Sequence, residues 1–539
     1  MTTAEATVLS LIVNGIDQIY CVPGIQNDVF FDALHKHQDK IRPIHTRHEQ
    51  GAAYMALGAA MATGKPAAFV VAPGPGVLNT TAALSTAHAV NAPVLCITGQ
   101  IPSAAIGRGL GILHDIPDQL GILRSLTKWA DRINAPQEAG EKVTEAFRQM
   151  LSGRPRPVAL ECPIDVWPQQ APVVLGEPAK AVSVAIDPVA LTRAAEMAAR
   201  AKSPMIVVGS GAQDASGAIK DLAELLQAPV VSHRMGPGVL DSLHPLALVS
   251  QLGNRLWAET DCVIAVGTRL LMQLTEWGVD ERLKIIRIDA DPTEIGRVRE
   301  PDLRLQGDAA DIVGALLAAM PARAGDRPSR TEEMTARKAV FAKQAAVLQP
   351  QGDYLRVIRE ELPENGIFVD EMTQLGYAAR LLYPVRRPRT FLSPGYQGTL
   401  GWGFATALGA KAALPDTPVV SVTGDGGFMF NVQELATAVQ HKIPLVTVLV
   451  NDGAFGNVRR IQAEEYGARH IATELRNPNF VPMVESFGAI GVQARSPEEL
   501  RQALRSGFAA DLPTVIEIPA GSMPSPWPLI AMKRVRGPH

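Results

Sequence analysis

Gly424-Asp425-Gly426-Gly427 and Asn451-Asp452-Gly453-Ala454 frame one stretch of the chain, with 24 residues, 427 to 450, between Gly426 and Asn451. The apolar run Val419–Thr423 predicts a strand that carries the first motif on a tight turn at its end. Residues 431–441 predict a helix, and Leu445–Val450 predicts a second strand that ends at the second motif. A strand, a helix and a strand in this order are typical of a parallel sheet covered by helices.

The two motifs contribute two carboxylates to one edge of the predicted sheet. Asp425 and Asp452 are 27 residues apart (452 − 425), and each follows one of the two strands. Ligands bind at the carboxyl ends of the strands in open α/β sheets. Two carboxylates there can hold Mg²⁺, which often completes its shell with phosphate oxygens, and the flanking glycines let backbone amides approach a phosphate. An isolated Gly-Asp-Gly is usually an ordinary turn, but this context predicts a metal–diphosphate site.

Length and composition predict several domains of the α/β class. The chain has 539 residues, enough for about three domains of typical size. Hydrophobic residues make up 47% of it and aromatic residues 5%, which suits sheets covered by small aliphatic side chains. The net charge of −3 gives no electrostatic reason to expect binding to nucleic acid or to an anionic membrane.

The N-terminal and cysteine patterns indicate a cytoplasmic protein. The sequence does not begin with a basic segment followed by an apolar stretch, so no signal peptide is expected, and no long apolar run suggests a membrane span. The cysteines lie far apart in strand-like runs and are expected to be buried thiols in a reducing compartment. They are Cys21, Cys96, Cys162 and Cys262.

Strand-like and helix-like runs alternate along the chain, which predicts doubly wound parallel sheets with helices on both faces. A Pro- and Ala-rich stretch, residues 169–188, predicts a linker, and a second boundary falls within residues 322–351. We therefore expect three domains, residues 1–170, 185–325 and 350–539.

The first and third domains repeat each other at a constant offset of 351 residues. Ala56-Leu57-Gly58-Ala59 matches Ala407-Leu408-Gly409-Ala410, and a second cluster pairs Leu84, Thr86, Ala87 and Pro93 with Leu435, Thr437, Ala438 and Pro444. One ungapped offset over two separate clusters indicates a duplicated fold. The offset places Glu49 over Leu400 and Asp425 over Gly74. If the two halves face each other about a pseudo-twofold axis, an acidic group would lie across the ligand from the two aspartates.

The spacing of the two motifs resembles the thiamine-diphosphate signature, in which Gly-Asp-Gly is followed after about two dozen residues by Asn-Asn or Asn-Asp. The resemblance is to the thiamine-diphosphate-dependent enzymes, particularly acetolactate synthases, benzaldehyde lyases and 2-oxoacid decarboxylases, and it covers essentially the whole chain. It implies a pyrimidine-binding first domain, a Rossmann-like middle domain and a third domain that binds the diphosphate and Mg²⁺. The cofactor would be thiamine diphosphate, whose thiazolium C2 becomes a carbanion after its own aminopyrimidine is activated.

Glu49, in Arg47-His48-Glu49, matches the catalytic acid of this family. A carboxyl group there would hydrogen-bond the pyrimidine ring and activate the cofactor, which requires a partly apolar setting. The alternative is a glutamate that only interacts with the dipole of the following helix. We expect structural roles for His48 and His88, which precede or lie within helices of small residues.

The resemblance assigns further cofactor contacts in both halves. They are Gly74 and Asn79 in a glycine-rich loop, Met372 and Thr373 after a strand, Gly398 and Leu400, the motif Gly424, Asp425, Gly426 and Gly427, and Asp452, Ala454 and Phe455. Leu400 would hold the cofactor in its bent, self-activating shape. Asp425, Asp452 and the backbone carbonyl of Ala454 would bind the metal. Asp452 stands where many relatives have Asn, and its extra charge should strengthen metal binding.

The substrate region departs from the family in several places. True acetolactate synthases carry an acidic pair and a second arginine where this chain has residues 267–273, and a tryptophan after the metal motif that is missing here. We therefore expect the same cofactor with a different substrate. Ala72 occupies a position where several 2-oxoacid decarboxylases have a histidine, which weakens a simple benzoylformate-type decarboxylase.

Gln26 and His114 are the candidates for proton transfer near the substrate. Gln26 falls where benzaldehyde-lyase relatives have a proton-handling histidine, and His114 falls near the glutamine that lies over the cofactor. Each could instead be structural, His114 as a surface-loop residue. Phe455 and Trp527 would cap an apolar pocket.

The expected activity is C–C bond cleavage or carboligation on small 2-oxoacids, aldehydes or ketones. A Gly-x-Gly turn at residues 209–211 and Asp289 after a strand raise the alternative of a flavin-containing oxidase or nucleotide-binding oxidoreductase. The third glycine is replaced by Asp214, so we do not expect bound FAD or ADP. A cofactor-binding protein without turnover would not need Glu49. The family also implies a site shared between subunits, and hence a homodimer or homotetramer.

Overall fold

The computed structural model describes residues 1–537 and contains three six-stranded sheets in which all neighbouring strands are parallel. The predicted α/β class with three doubly wound sheets is thereby confirmed. The first and third sheets share the strand order 2-1-3-4-6-5 when strands are numbered within each sheet. The middle sheet has the order 3-2-1-4-5-6 when read from its other edge, which is the order of dinucleotide-binding folds.

The strands follow one another along the chain, six to a sheet. The first sheet contains β1 (Gln18–Cys21), β2 (Arg42–His45), β3 (Ala67–Val71), β4 (Val94–Gln100), β5 (Trp129–Arg132) and β6 (Val158–Pro163). The middle sheet contains β7 (Pro204–Val208), β8 (Val230–Ser232), β9 (Ala247–Leu248), β10 (Cys262–Val266), β11 (Lys284–Asp289) and β12 (Leu303–Gln306). The third sheet contains β13 (Ile367–Asp370), β14 (Phe391–Leu392), β15 (Val419–Gly424), β16 (Val446–Asn451), β17 (Ile490–Gln493) and β18 (Thr514–Pro519).

Helices connect the strands and cover both faces of each sheet. Those of the first third of the chain are α1 (Thr3–Val13), α2 (Asp28–Lys36), α3 (Glu49–Thr63), α4 (Pro75–Asn79), α5 (Thr81–Val90), α6 (Gln119–Leu126) and α7 (Ala139–Leu151). The middle region adds α8 (Pro188–Arg200), α9 (Ser216–Leu226), α10 (Ser250–Trp257), α11 (Pro292–Ile295), α12 (Ala309–Ala318) and α13 (Thr331–Ala345). The remainder contains α14 (Gln351–Glu361), α15 (Gln374–Leu382), α16 (Trp402–Ala413), α17 (Asp425–Phe430), α18 (Glu434–Gln440), α19 (Gly456–Glu465), α20 (Phe480–Ser486), α21 (Pro497–Ala509) and α22 (Trp527–Ile530).

Helices α3 and α16 join the first and third sheets through small residues. A Cβ atom on Gly58 would overlap the backbone of Thr406, and one on Gly409 would overlap the backbone of Met55. At the offset of 351, Gly409 is the equivalent of Gly58 and Thr406 is the equivalent of Met55. Each contact is therefore the copy of the other, as expected for two duplicated halves that face each other about a pseudo-twofold axis.

The predicted linker, residues 169–188, and the predicted boundary region, residues 322–351, lie between the three sheets. No helix or strand lies between β6, which ends at Pro163, and α8, which begins at Pro188, in line with the predicted linker. The second predicted boundary region contains α13. The exact domain limits, residues 1–170, 185–325 and 350–539, remain predictions.

The stretch between the two acidic motifs differs in detail from the prediction. Asp425 begins a helix, α17, instead of lying on a turn, and the helix expected over residues 431–441 begins only at Glu434. Asn431 separates α17 from α18 because its Nδ2 donates to the carbonyl oxygen of Gly401 at 2.5 Å. This contact with a distant loop has no counterpart in local sequence preference.

All four cysteines are buried free thiols, so their predicted burial is confirmed. Within residues 1–537, no helix is long and apolar enough to cross a membrane.

Candidate active site

Asp425 and Asp452 lie at the ends of the adjacent strands β15 and β16. The Oδ2 atom of Asp425 accepts hydrogen bonds from the backbone N–H of Gly453 at 2.9 Å and from Nδ2 of Asn477 at 2.5 Å. Burial and the neighbouring Asp425 raise the pKa of Asp452 to about 6. Two like charges held together in this way fit a divalent cation.

The other atoms near this pair that could bind a metal are oxygens of neutral groups. Ala454, the third predicted ligand, donates its N–H to Oδ1 of Asp452 at 3.3 Å and pairs as an isolated bridge with Glu474. In the described part of the chain, no group of three or more His, Cys, Asp or Glu side chains is placed to hold a metal ion. A cation here would therefore complete its shell with backbone, amide, water or phosphate oxygens, which is the ligand set that Mg²⁺ prefers.

Asn477 was missed at the sequence level. Its Nδ2 reaches both Oδ2 of Asp425 and, at 2.9 Å, Oδ1 of Asn451, so it fixes the ends of two strands. It lies in the long segment after α19, and no motif marks it.

The predicted diphosphate loop packs closely against two side chains. A Cβ atom on Gly426 would lie 2.7 Å from Cε1 of Phe455, and one on Gly427 would lie 2.5 Å from Oε1 of Glu371. The glycines of this loop are thus required for packing, whether or not they also admit a phosphate.

The other third-domain residues predicted to bind the cofactor gather around the same loop. A Cβ atom on Gly398 would lie 3.9 Å from Cε of Met372, and one on Gly424 would lie 3.3 Å from Cγ2 of Thr373. Leu400 is half-buried in the same loop as Gly398, between β14 and α16.

Glu371 is a second residue that the sequence reading missed. Its side chain is buried, and Oε1 accepts the backbone N–H of Gly401 at 2.6 Å while Oε2 accepts the hydroxyl of Thr423. Burial raises the pKa of this carboxyl group to about 7. An acidic residue directly after a buried strand at this sheet edge was the available signal.

Glu49 begins α3, where the resemblance places the catalytic acid. Its Oε2 atom accepts a hydrogen bond from Nδ2 of Asn79 at 3.0 Å. Its Oε1 atom would lie 3.7 Å from a Cβ on Gly76, and the neighbouring Ala72 contributes only a methyl group. Neither of these residues places a long side chain against the carboxylate.

Glu434 of the third domain holds the segment that precedes Glu49. Its buried carboxylate accepts the backbone N–H groups of Arg47 and His48, both at 3.1 Å, and the hydroxyl of Thr437 at 2.6 Å. Burial raises the pKa of Glu434. The sequence reading did not single out this residue, although it lies beside Leu435 in one of the matched clusters.

His48 caps a helix and His88 is partly buried, while structural roles for both remain predictions. Nδ1 of His48 accepts the N–H of Gln50 at 3.1 Å and caps α3. Burial and nearby arginines, including Arg156 and Arg269, lower the pKa of His88 to about 4, so it is neutral at physiological pH.

Gln26, His114 and Gly74 lie together in the first domain. Oε1 of Gln26 is 3.0 Å from Nδ1 of His114, and the Gln26 side chain is buried. The His114 carbonyl oxygen would lie 2.6 Å from a Cβ on Gly74, whose N–H donates to Oε1 of Gln119 at 2.8 Å. His114 is therefore tied to a buried partner and is not a free surface-loop residue.

Phe455 and Trp527 occupy different surroundings. The N–H of Phe455 donates to the Thr473 carbonyl at 2.8 Å, and its ring covers Gly426. The Trp527 ring lies 5.1 Å from that of Tyr377, with the guanidinium of Arg460 at 4.8 Å. A shared role as the cap of one pocket remains a prediction.

The predicted acid and the predicted metal ligands share no side-chain hydrogen bond in the described part of the chain. Among residues 1–537, the side-chain hydrogen bond of Glu49 lies within the first domain, and those of Asp425 and Asp452 lie within the third. Next to the two halves, Leu78 is 43% and Phe430 49% exposed. Large exposed apolar side chains often lie at protein interfaces.

The two glycines and the aspartate that raised the nucleotide-binding alternative make close contacts within the protein. A Cβ atom on Gly209 would lie 2.5 Å from the Gly267 carbonyl oxygen, and one on Gly211 would lie 2.8 Å from the Gly267 Cα atom. Asp289 faces the guanidinium of Arg154, a first-domain residue, at 3.7 Å.

Three family models match the chain in order. Residues 1–122 match the thiamine pyrophosphate enzyme N-terminal TPP binding domain, residues 191–316 the central domain, and residues 371–518 the C-terminal TPP binding domain. These ranges contain Glu49, the middle sheet and both acidic motifs.

Curated proteins are similar over nearly the full length. A probable 2-ketoarginine decarboxylase of Pseudomonas aeruginosa is 34% identical, over 96% of this chain and 94% of its own. A probable acetolactate synthase large subunit of Methanocaldococcus jannaschii is 33% identical over 97% and 93%. The acetolactate synthase isozyme 3 large subunit of Escherichia coli is 30% identical over 94% and 92%. With three matching domains and these relatives, the chain belongs to the thiamine-pyrophosphate-dependent enzymes.

Proposed function

We propose that this protein uses thiamine diphosphate and Mg²⁺ to cleave or form C–C bonds in 2-oxoacids or 2-hydroxyketones. The observation that carries the proposal is the pair Asp425 and Asp452, two close carboxylates at adjacent strand ends, where Asp425 contributes to the raised pKa of Asp452. A divalent cation that also binds a diphosphate would balance this charge.

Each half of the site has a distinct task in this proposal. Thiamine diphosphate supplies, when bound, a carbanion at its thiazolium C2 that attacks a carbonyl carbon. Asp425, Asp452 and the Ala454 carbonyl hold the metal, while Leu400 supports the cofactor from below. Glu49 holds a proton at the pyrimidine ring, and Asn79 orients its carboxyl group.

The Gln26–His114 pair is the candidate for moving protons near the substrate. His114 can donate from Nδ1 to Oε1 of Gln26 at 3.0 Å, which leaves Nε2 as an acceptor for a substrate proton. Because Ala72 and Gly76 place no long side chain against Glu49, we place the reacting carbonyl between Glu49 and the Gln26–His114 pair.

The substrate differs, in our proposal, from that of acetolactate synthase. The middle-domain acidic pair and second arginine of such enzymes are absent from residues 267–273, and their tryptophan is absent after the metal motif. One of the most similar relatives is a probable 2-ketoarginine decarboxylase, so a decarboxylase acting on a larger 2-oxoacid is the first candidate. No comparison supports the flavin-containing alternative, and we do not propose it.

The complete site is proposed to form between two subunits, with Glu49 from one and the acidic pair from the other. The separate contacts of the two halves and the exposed Leu78 and Phe430 support a homodimer or a homotetramer. Light scattering after gel filtration measures this directly.

A panel of 2-oxoacids and acyloins tests the activity. Pyruvate, benzoylformate, 2-ketoarginine and benzoin would each be supplied with thiamine diphosphate and Mg²⁺, and scored for CO₂ and for carboligation products. We expect turnover of at least one larger 2-oxoacid and little acetolactate from pyruvate. Acetolactate as the main product would refute the substrate proposal, and a lack of cofactor affinity would refute the whole proposal. Protein without added cofactor is the control.

A further inference from the structure

We propose that Glu371 is a positioning residue that fastens the Leu400 loop to the start of the diphosphate helix α17. The inference rests on the proposed function for its effect on the cofactor, but its structural part applies to the protein without cofactor. Glu371 follows β13 directly and lies between two segments that are far apart in sequence.

The carboxylate of Glu371 connects these segments through its two oxygens. Oε1 accepts the N–H of Gly401, the residue after Leu400, at 2.6 Å. Oε2 accepts the hydroxyl of Thr423, the second residue before Asp425. One side chain therefore fixes the residue next to the predicted cofactor support and the strand end that carries a predicted metal ligand.

Two glycines pack closely against the Glu371 carboxylate. A Cβ atom on Gly427 would lie 2.5 Å from Oε1 of Glu371, and one on Gly403 would lie 2.8 Å from Oε2. The first turns of α16 and α17 thus both press against this carboxylate. With only 1% of its surface exposed, water cannot replace the protein donors.

Gly401 cannot find another acceptor easily. It has a positive φ of 79° and directly precedes α16, so its N–H is one of the donors without an intrahelical partner. Loss of the Glu371 acceptor would leave this N–H buried and unpaired. The loop that carries Leu400 would then open more often.

Hydrogen–deuterium exchange of the cofactor-free protein tests the structural part. In Glu371→Leu, which fills the volume without an acceptor, we expect amides of residues 398–403 to exchange at least about tenfold faster. Glu371→Gln should exchange like the wild type, since its Oε1 can accept from Gly401 while its Nε2 donates to Thr423. Glu434→Leu is the matched control, because this buried carboxylate holds Arg47 and His48 instead. Its effect should appear near residue 48.

A double-mutant cycle tests the link to Leu400. Cofactor affinity by calorimetry and C2 proton exchange of bound thiamine diphosphate would be measured for Glu371→Leu, Leu400→Ala and the double variant. If Glu371 acts through Leu400, the double variant loses no more than about threefold beyond the worse single variant, because coupled positions are not additive. Glu371→Gln should rescue both measurements.

The outcomes separate the inference from the proposed function. Unchanged exchange over residues 398–403, equal behaviour of the Gln and Leu variants, or full additivity with Leu400→Ala would each overturn the role of Glu371. If Glu371→Leu fails to fold, the exchange of residues 398–403 is compared in Glu371→Gln and Thr423→Val. Exchange faster than in the wild type for Glu371→Gln, together with wild-type exchange for Thr423→Val, would overturn the role of Glu371. A wild-type protein without cofactor affinity would refute the proposed function, while the exchange result in the cofactor-free protein would still decide the loop anchor.

Discussion

The first and third domains have one scaffold and two different chemistries. Their sheets share the strand order, and their contacting helices α3 and α16 carry Gly58 and Gly409 at equivalent positions. At the offset of 351, however, Asp425 corresponds to Gly74 and Asp452 to the buried Ile101. The third domain therefore presents acids at two strand ends where the first presents a glycine and an apolar side chain.

The difference shows that the fold supplies positions and the strand-end residues supply function. In both copies, the contact between α3 and α16 limits which residues the core can hold. The strand ends differ between the two copies. In the first domain the predicted acid, Glu49, lies at the start of α3 instead. Substitutions in each domain can test whether the two copies differ in function while they remain equivalent in structure.

Removal of the Asp425 carboxylate should have the largest effect. In Asp425→Ala, one of the two predicted metal-binding carboxylates is lost, and we expect affinity for thiamine diphosphate with Mg²⁺ to fall at least about a hundredfold. Calorimetry with and without Mg²⁺ measures this. Asp416→Ala, which removes an exposed acid of the same domain, is the control and should bind normally. Normal binding by Asp425→Ala would remove the asymmetry between the two domains.

Glu49→Gln should separate catalysis from binding. We expect turnover and C2 proton exchange to fall by about a hundredfold or more, because a positioned acid or base contributes that much. Affinity for the cofactor should stay nearly unchanged, since the third domain holds the diphosphate. Unchanged turnover would disprove the assignment of Glu49.

Mixing the two inactive variants tests where the halves meet. If Glu49 of one subunit completes the acidic pair of another, a refolded equal mixture of Glu49→Gln and Asp425→Ala contains mixed dimers with one intact site. About a quarter of the wild-type activity should return. No recovery, despite mixed dimers detected by mass spectrometry, would place the complete site within one chain.

Sequence alone was sufficient where local pattern and motif coincide. The strands before Asp425 and Asp452 and the duplicated scaffold follow from periodicity, spacing and offset. The break between α17 and α18 could not be foreseen, because Asn431 is bound by the distant Gly401.

The contacts of the supporting side chains could not be foreseen either. Glu371, Glu434 and Asn477 act through backbone groups or side chains 26 to 387 residues away, and single-sequence reasoning contains no distances. Glu434 is the clearest example of such a long-range contact. Its carboxylate accepts the backbone N–H groups of Arg47 and His48, which lie in the other copy of the scaffold.

The helix contact should respond equally from both sides. Gly58→Ala and Gly409→Ala each push a Cβ into the backbone of the opposite helix, so each should lower stability by about 1–3 kcal/mol, as overpacking does. Gly314→Ala is the matched control, since a Cβ there meets nothing within 4 Å and alanine favours a helix. Thermal unfolding would measure all three. A large difference between the first two variants would contradict the pseudo-twofold equivalence.

Asp452→Asn should have the smallest effect and depends on pH. Burial and Asp425 raise the pKa of Asp452 to about 6, so the folded cofactor-free protein binds a proton that the unfolded chain, with an ordinary carboxyl group, releases near pH 4. Stability from this group is therefore present at low pH and is lost as pH rises through about 6.

Asp452→Asn should keep its stability as pH rises, because its side chain carries no charge that would repel Asp425. We expect its melting temperature without cofactor to exceed that of the wild type by roughly 1–3 °C at pH 8, with a smaller difference at pH 5, where the folded Asp452 is protonated but the unfolded carboxyl group is already ionised. Its Mg²⁺ affinity should fall a few-fold at pH 8, since one ligand charge is gone. An equal melting difference at both pH values would show that the two acids do not repel each other, and the case for a cation between them would lose its main support.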